Sequence, residues 1–129
     1  SWEEIWLNEA FATWMAAKVT AHFNPDWHTR LQERGWVDAA MADDATTATR
    51  AIRSGPVRES SVFDVFDSIT YTKGGAVLSM LEQWIGPEAF RRGLASYMNG
   101  QKLSNATAAD LWHHMRDASG RDVGVVATS

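Results

Sequence analysis

Apolar residues recur at helical spacing along most of this chain, and the pattern predicts an all-α fold of about five helices. The first helix is expected at about residues 7–23, where good helix formers continue without glycine or proline. One stripe of this segment advances in steps of three and four residues and is predicted to face the interior. It consists of Ile5, Glu9, Ala12, Ala16 and Val19.

Breaks in the pattern separate the first helices. Asn24, Pro25 and Asp26 suit the cap and first turn of a second helix, which is predicted to run to about Asp43. Residues 44–61 contain Thr, Ser, Gly and Pro with little periodicity, so a long surface connection is expected there.

The remaining chain is also predicted to be helical. The segment at about 63–85 includes an apolar helix, and further helices are expected at about 87–120. Thr107 followed three residues later by Asp110 predicts a capping box at the start of one of them. The tail at 123–127 is the one stretch whose pattern is compatible with a short strand.

Composition excludes several classes of function. The chain has 129 residues and no internal repeat, which favours one helical unit. Its net charge is −4 and no stripe of Lys or Arg is present, so nucleic acid is not an expected partner. Without cysteine there is neither a disulfide nor a thiolate site. No apolar run approaches the ~20 residues that span a bilayer, so we expect a soluble protein, cytoplasmic, periplasmic or secreted.

Two residues are candidates for chemistry, and each has an ordinary structural alternative. A carboxylate on the interior stripe, such as Glu9, needs a cation, hydrogen bonds or a metal, because burying it alone costs several kcal/mol. A salt bridge to Arg or Lys would satisfy that need equally well. Tyr71 taken alone would be a core aromatic, and the seven tryptophans are expected in the core or in a buried interface.

The string WLNEAFATWM, which contains Glu9, resembles the WLNEGFA motif of the M1 family of zinc aminopeptidases. In that family the glutamate is the third protein ligand of a catalytic zinc, after two histidines of a His-Glu-x-x-His helix. Ala10 stands where glycine is more usual, a change between two small residues. The resemblance therefore implies that Glu9 binds Zn²⁺, which takes N and O ligands and keeps one position open in catalytic sites.

A second string, FDSITYTKGGAVLSML, is similar to the M1 segment FDxIxYxKGAxVLxML and contains Tyr71. The resemblance implies that this phenol donates to the oxyanion of the tetrahedral intermediate. Lys73 could assist a charged intermediate, although a surface or salt-bridge role is the simpler interpretation. The matches cover most of the chain and are weakest between about residues 39 and 57. They imply the helical, C-terminal part of a thermolysin-like gluzincin catalytic domain.

The sequence contains no His-Glu-x-x-His, and none of its four histidines forms one. These are His22, His28, His113 and His114, which we expect to face solvent. The resemblance thus implies a zinc aminopeptidase that cleaves N-terminal residues from peptides, with this chain alone inactive and only weakly binding zinc. Asn8, beside Glu9, is expected to cap the helix or to orient a ligand.

Two alternatives remain open from the sequence. The chain could be a helical interaction or scaffold module that never held catalytic zinc, or it could belong to a hydrolase of the same family that acts on a non-peptide. A histidine pair in an adjoining sequence would distinguish the enzyme from the scaffold. As partners we expect peptide substrates and the remainder of the catalytic domain, and an exposed apolar face would promote self-association.

Overall fold

The computed structural model describes residues 2–47, 49–53, 63–64 and 66–128. Across these ranges the secondary structure is helical and contains no strand, which confirms the all-α prediction. The α-helices are α1 (Ile5–Phe23), α2 (Thr29–Asp44), α3 (Gly74–Ile85), α4 (Pro87–Gly100), α5 (Ala108–Ser119) and α6 (Val123–Thr128).

Contacts divide the chain into two compact units, Ser1–Leu78 and Ser79–Ser129. The first unit contains α1, α2 and the start of α3, and the second contains the end of α3 together with the last three helices. None of the helices in the described ranges has both the length and the apolar character needed to cross a membrane.

Helix α1 buries a different face from the predicted one. Its buried residues are Trp6, Leu7, Ala10 and Trp14, whereas Ala12, Ala16 and Val19 of the predicted stripe are exposed. The prediction was wrong because it gave alanine the same weight as tryptophan. Large aromatic rings carry far more apolar area, so Trp6 and Trp14 determine which face turns inward.

The connection after α1 also differs from the prediction of one continuous second helix. Pro25–Trp27 forms a short 3-10 helix, and His28 then adopts a left-handed conformation with φ of 50°. Helix α2 begins only at Thr29. Histidine is among the non-glycine residues that enter this region more readily than most, so it permits a turn between the two helical segments.

A π-helical turn, Ile69–Lys73, precedes α3 and continues directly into it. Ile69 and Thr70 are buried, and the turn contacts both α1 and α2. Turns of the π type are uncommon and are found frequently at functional sites. Tyr71 lies at the centre of this turn, which is therefore a candidate functional site of the first unit.

In the second unit, α4 and α5 pack against each other around Phe90, Leu111 and Met115, each 1% exposed. The predicted capping box is confirmed, because the Thr107 side chain accepts from the Asp110 backbone N–H while the Asp110 carboxylate accepts from Thr107.

The tail predicted to be compatible with a strand forms α6 instead. Val123 is completely buried, and α6 contacts α5. The apolar residues of the tail thus pack as one side of a helix and not as alternate positions of a strand. Thr128 further donates its hydroxyl to the Gly124 carbonyl one turn earlier, at 2.8 Å.

Candidate active site

Glu9 lies on α1, next to its buried face, and its side chain is partly buried. Its backbone carbonyl accepts a hydrogen bond from the Thr13 hydroxyl at 2.9 Å, within the helix. Among the described residues, no Lys, Arg or His forms an ion pair with the Glu9 carboxylate. The salt-bridge alternative therefore has no support in that part of the chain.

Tyr71 lies in the π-helical turn, which contacts α1, the helix that carries Glu9. The pKa of Tyr71 is raised above its ordinary value, first by burial, then by hydrogen bonding with Glu9 and by the negative charge of that carboxylate. All three causes disfavour the phenolate. At neutral pH the phenol therefore keeps its proton and can act as a hydrogen-bond donor.

Small residues bring the two elements together. Ala10, which follows Glu9, is completely buried, and Gly74 at the end of the π-helical turn is buried as well. Gly75 is also buried, and a Cβ placed on it would make a tight contact of 3.3 Å with Thr13 Cγ2. The short side chains let the backbone of the turn approach α1 closely.

Charged residues flank the turn on both sides. Lys73 Nζ lies 2.6 Å from Asp44 Oδ2, and Arg50 Nη2 lies 2.6 Å from Asp67 Oδ1. Lys73 thus forms a salt bridge. The roles of Arg50 and Asp44 were missed from the sequence because both fall at or beyond the end of α2, where periodicity is lost. Asp67 stands three residues before Thr70, which is the spacing of a helix N-cap. This spacing could have indicated that the Asp67 carboxylate accepts the Thr70 backbone N–H.

The described residues can supply one ligand of a zinc site, but they do not supply the complete set of ligands. A carboxylate oxygen, such as Glu9 supplies, is an accepted zinc ligand. Within the described ranges, however, no group of three or more His, Cys, Asp or Glu side chains could hold a metal ion. Glu9 can therefore contribute to a metal centre only with ligands from outside these residues.

Of the four histidines, His22 and His28 belong to the first unit, and His113 and His114 belong to the second. His22, His28 and His113 are exposed, as expected, and His114 is partly buried with its Nδ1 2.9 Å from Ser96 Oγ. The capping role predicted for Asn8 is wrong. Helix α1 begins at Ile5, so this exposed asparagine already lies inside the helix.

Sequence comparison identifies the family. The model described as "Peptidase family M1 domain" matches residues 1–129. The chain therefore belongs to peptidase family M1, in agreement with the resemblance seen in its two motifs.

Curated relatives carry aminopeptidase names. The chain is 36% identical over 129 residues to "Probable aminopeptidase 1" of Saccharolobus solfataricus, covering 97% of this chain and 16% of that protein. It is 37% identical over 125 residues to "Aminopeptidase 2, mitochondrial" of Saccharomyces cerevisiae, covering 95% of this chain and 13% of the relative. The chain thus spans less than one fifth of the length of these relatives.

Proposed function

We propose that a polypeptide carrying this chain is a zinc-dependent aminopeptidase that removes N-terminal residues from peptides. The observation that carries the proposal is the close approach of the π-helical turn that carries Tyr71 to the helix that carries Glu9. Membership of peptidase family M1 and the aminopeptidase names of the relatives support the same reaction class.

In this proposal Glu9 binds zinc and Tyr71 donates its phenolic proton in a hydrogen bond to the scissile carbonyl oxygen as negative charge develops there. Zinc in such a site polarises the carbonyl and lowers the pKa of a bound water toward ~7. An oxyanion donor of this kind typically contributes ~2.7–4 kcal/mol to the stability of the transition state.

The remaining ligands must come from outside the described residues, and the M1 resemblance implies the two histidines of a His-Glu-x-x-His helix. The glutamate of that motif would act as general base. We therefore expect the 129-residue chain alone to lack aminopeptidase activity and to bind zinc only weakly. Tight stoichiometric zinc binding by the chain alone, or turnover of an aminoacyl anilide that a chelator abolishes, would contradict this.

The direct test measures the zinc content of the longer polypeptide and of its Glu9→Gln variant by atomic emission. Gln lacks the anionic oxygen, so zinc content after dialysis should fall well below one per molecule. Glu33→Gln, a matched control on α2, should retain it. Full occupancy in Glu9→Gln would reject Glu9 as a ligand. A folded polypeptide with neither zinc nor turnover would identify an interaction module instead.

A further inference from the structure

The Arg50 side chain makes five hydrogen bonds to described residues around the start of the π-helical turn. Its Nε and Nη2 donate to the two carboxylate oxygens of Asp67, at 3.1 and 2.6 Å. Nη2 also donates to Thr70 Oγ1 at 2.8 Å, and Nη1 donates to the carbonyls of Ala51 and Ile52. Lysine, with a single ammonium group, cannot reproduce this planar arrangement of donors.

Arg50 binds the side chains of Asp67 and Thr70, two residues that precede Tyr71 in the same stretch of backbone. Asp67 accepts the Thr70 backbone N–H on its carboxylate at 3.0 Å and the Tyr71 backbone N–H on its carbonyl at 3.1 Å. Thr70, which directly precedes Tyr71, is completely buried. The Arg50 guanidinium therefore fixes the peptide units from which the Tyr71 side chain projects.

Helix α2 contacts the turn at its end, through Lys73, and also directly before its start, through Ser68. Lys73 Nζ contacts Asp44 Oδ2, and Ser68 Oγ donates to Asp43 Oδ2 at 3.3 Å. Asp44 also accepts a hydrogen bond from Thr49, and these two partners lower the pKa of its carboxyl below the ordinary value, the Lys73 hydrogen bond most. The turn is thus fastened at its start, by Asp67, and at its end, by Lys73.

We propose that Arg50 is a positioning residue for Tyr71, acting through Asp67 and Thr70 to aim the phenol at the substrate carbonyl. This rests on the proposed function, in which Tyr71 is the oxyanion donor. Bidentate arginine–carboxylate pairs supply geometric specificity as well as energy. The Arg50 and Asp67 side chains remain 24% and 38% exposed, so a large contribution to stability alone is not expected from the pair.

The first test observes Tyr71 directly in the 129-residue chain. Tyr97→Phe removes the only other tyrosine, so selective ¹³Cζ-tyrosine labelling then gives one NMR signal. On this background Glu9→Gln defines the shift that results from an altered phenol environment. Arg50→Met and Arg50→Lys should both move the Tyr71 signal, while Arg91→Met, which removes an exposed arginine of the other unit, should not. An unmoved signal in Arg50→Met, with helical circular dichroism retained, would overturn the proposal.

A second pair of variants separates positioning from packing and also applies if Arg50→Met fails to fold. Thr70→Val keeps the shape of the side chain but removes the hydroxyl that Arg50 binds, whereas Thr70→Ser keeps the hydroxyl and removes a methyl group. If Arg50 positions Tyr71 through the Thr70 hydroxyl, Thr70→Val should move the Tyr71 NMR signal and Thr70→Ser should leave it unchanged. A role in packing alone predicts the reverse, and that result would reject the proposal.

The same pair is then assayed in the longer zinc-binding polypeptide with an aminoacyl anilide. Thr70→Val should lower kcat about 10- to 100-fold with KM little changed, because small misplacements of a catalytic group have effects of this size. Thr70→Ser should stay close to the unaltered protein. If no turnover exists but the NMR signals behave as expected, the proposed function fails while the positioning of Tyr71 by Arg50 stands. Equal kcat for both variants would reject the positioning role.

Discussion

Gly74 lies so close to Ala10 that a Cβ placed on it would be 2.7 Å from the Ala10 Cβ, well inside normal contact distance. Ala10 follows the candidate ligand Glu9 directly, and Gly74 comes three residues after Tyr71. The contact between α1 and the π-helical turn is therefore built on two of the smallest residues. Neither can give way by rotating a side chain, so any added atom must move the backbone.

Gly74→Ala should consequently lower the free energy of unfolding by about 1–3 kcal/mol, the usual cost of overpacking a filled interior. Urea denaturation followed by circular dichroism measures the change. Gly35→Ala is the matched control, since a Cβ there meets nothing within 4 Å and the glycine lies inside α2. That substitution should stabilise by about 0.5–1 kcal/mol. Equal effects of the two substitutions would contradict the close contact at Gly74.

Removing the phenolic oxygen tests the proposed role of Tyr71 in a longer polypeptide that carries this chain and the zinc ligands proposed above. Tyr71→Phe should lower kcat about 10²- to 10³-fold, as the loss of an oxyanion donor usually does, with zinc content unchanged. Steady-state hydrolysis of an aminoacyl anilide provides the measurement. Tyr97→Phe, on α4 in the other unit, serves as the control and should retain activity. Turnover by Tyr71→Phe equal to that of the unaltered protein would exclude the proposed role.

Acid should weaken the second unit through Asp110. The pKa of its carboxyl lies below the ordinary 3.8, chiefly because the carboxylate accepts a hydrogen bond from the Thr107 side chain and then from the Thr107 backbone. A carboxyl group whose pKa is lower in the folded state stabilises above its unfolded pKa. This stabilisation is lost as the pH falls through the folded pKa. Asp110→Asn should therefore reduce the decrease in stability between about pH 5.5 and about pH 2.5, measured by urea denaturation.

The capping box supplies its own control for that measurement. Thr107→Ala removes the hydroxyl that donates to the Asp110 carboxylate but keeps the backbone N–H that also donates to it. This variant should therefore reduce the acid dependence in the same direction as Asp110→Asn, but by less. Ser104→Ala, in the same connection, removes a hydroxyl that bonds only the neighbouring Asn105 carbonyl and should leave the stability within about 0.5 kcal/mol. An unchanged acid dependence in both capping-box variants would show that Asp110 is not its source.

Exposed apolar side chains near the junction of α1 and α2 predict self-association of the chain. Phe23, Trp27 and Leu31 are 74%, 63% and 73% exposed within nine consecutive residues. Sedimentation velocity at rising concentration should show dimers or larger species. Trp27→Ser with Leu31→Ser should reduce them, while Leu103→Ser, a fully exposed residue of the other unit, should not. A monodisperse monomer at high concentration would refute this expectation.

The sequence was sufficient to predict the helices where the residue types favour one structure. It did not predict the features that depend on contacts between distant residues. An unbroken run of helix formers was sufficient for α1, but the buried face depends on where Trp6 and Trp14 find partners. No local pattern distinguishes the π-helical turn from an ordinary helix start. The pairing of Arg50 with Asp67 joins residues 17 positions apart, across a segment without periodicity. Glu9 and Tyr71 were selected through a family resemblance and not through spacing.

The ion pairs at the two ends of the π-helical turn favour one direction of docking of the turn over the reverse. Along the chain, Asp44 precedes Arg50 and Asp67 precedes Lys73, yet the pairs formed are Asp44 with Lys73 and Arg50 with Asp67. Were the turn to pair with Asp44 and Arg50 in the opposite direction, Asp44 would meet Asp67 and Arg50 would meet Lys73. Like-charge repulsion thus disfavours the reversed orientation during folding.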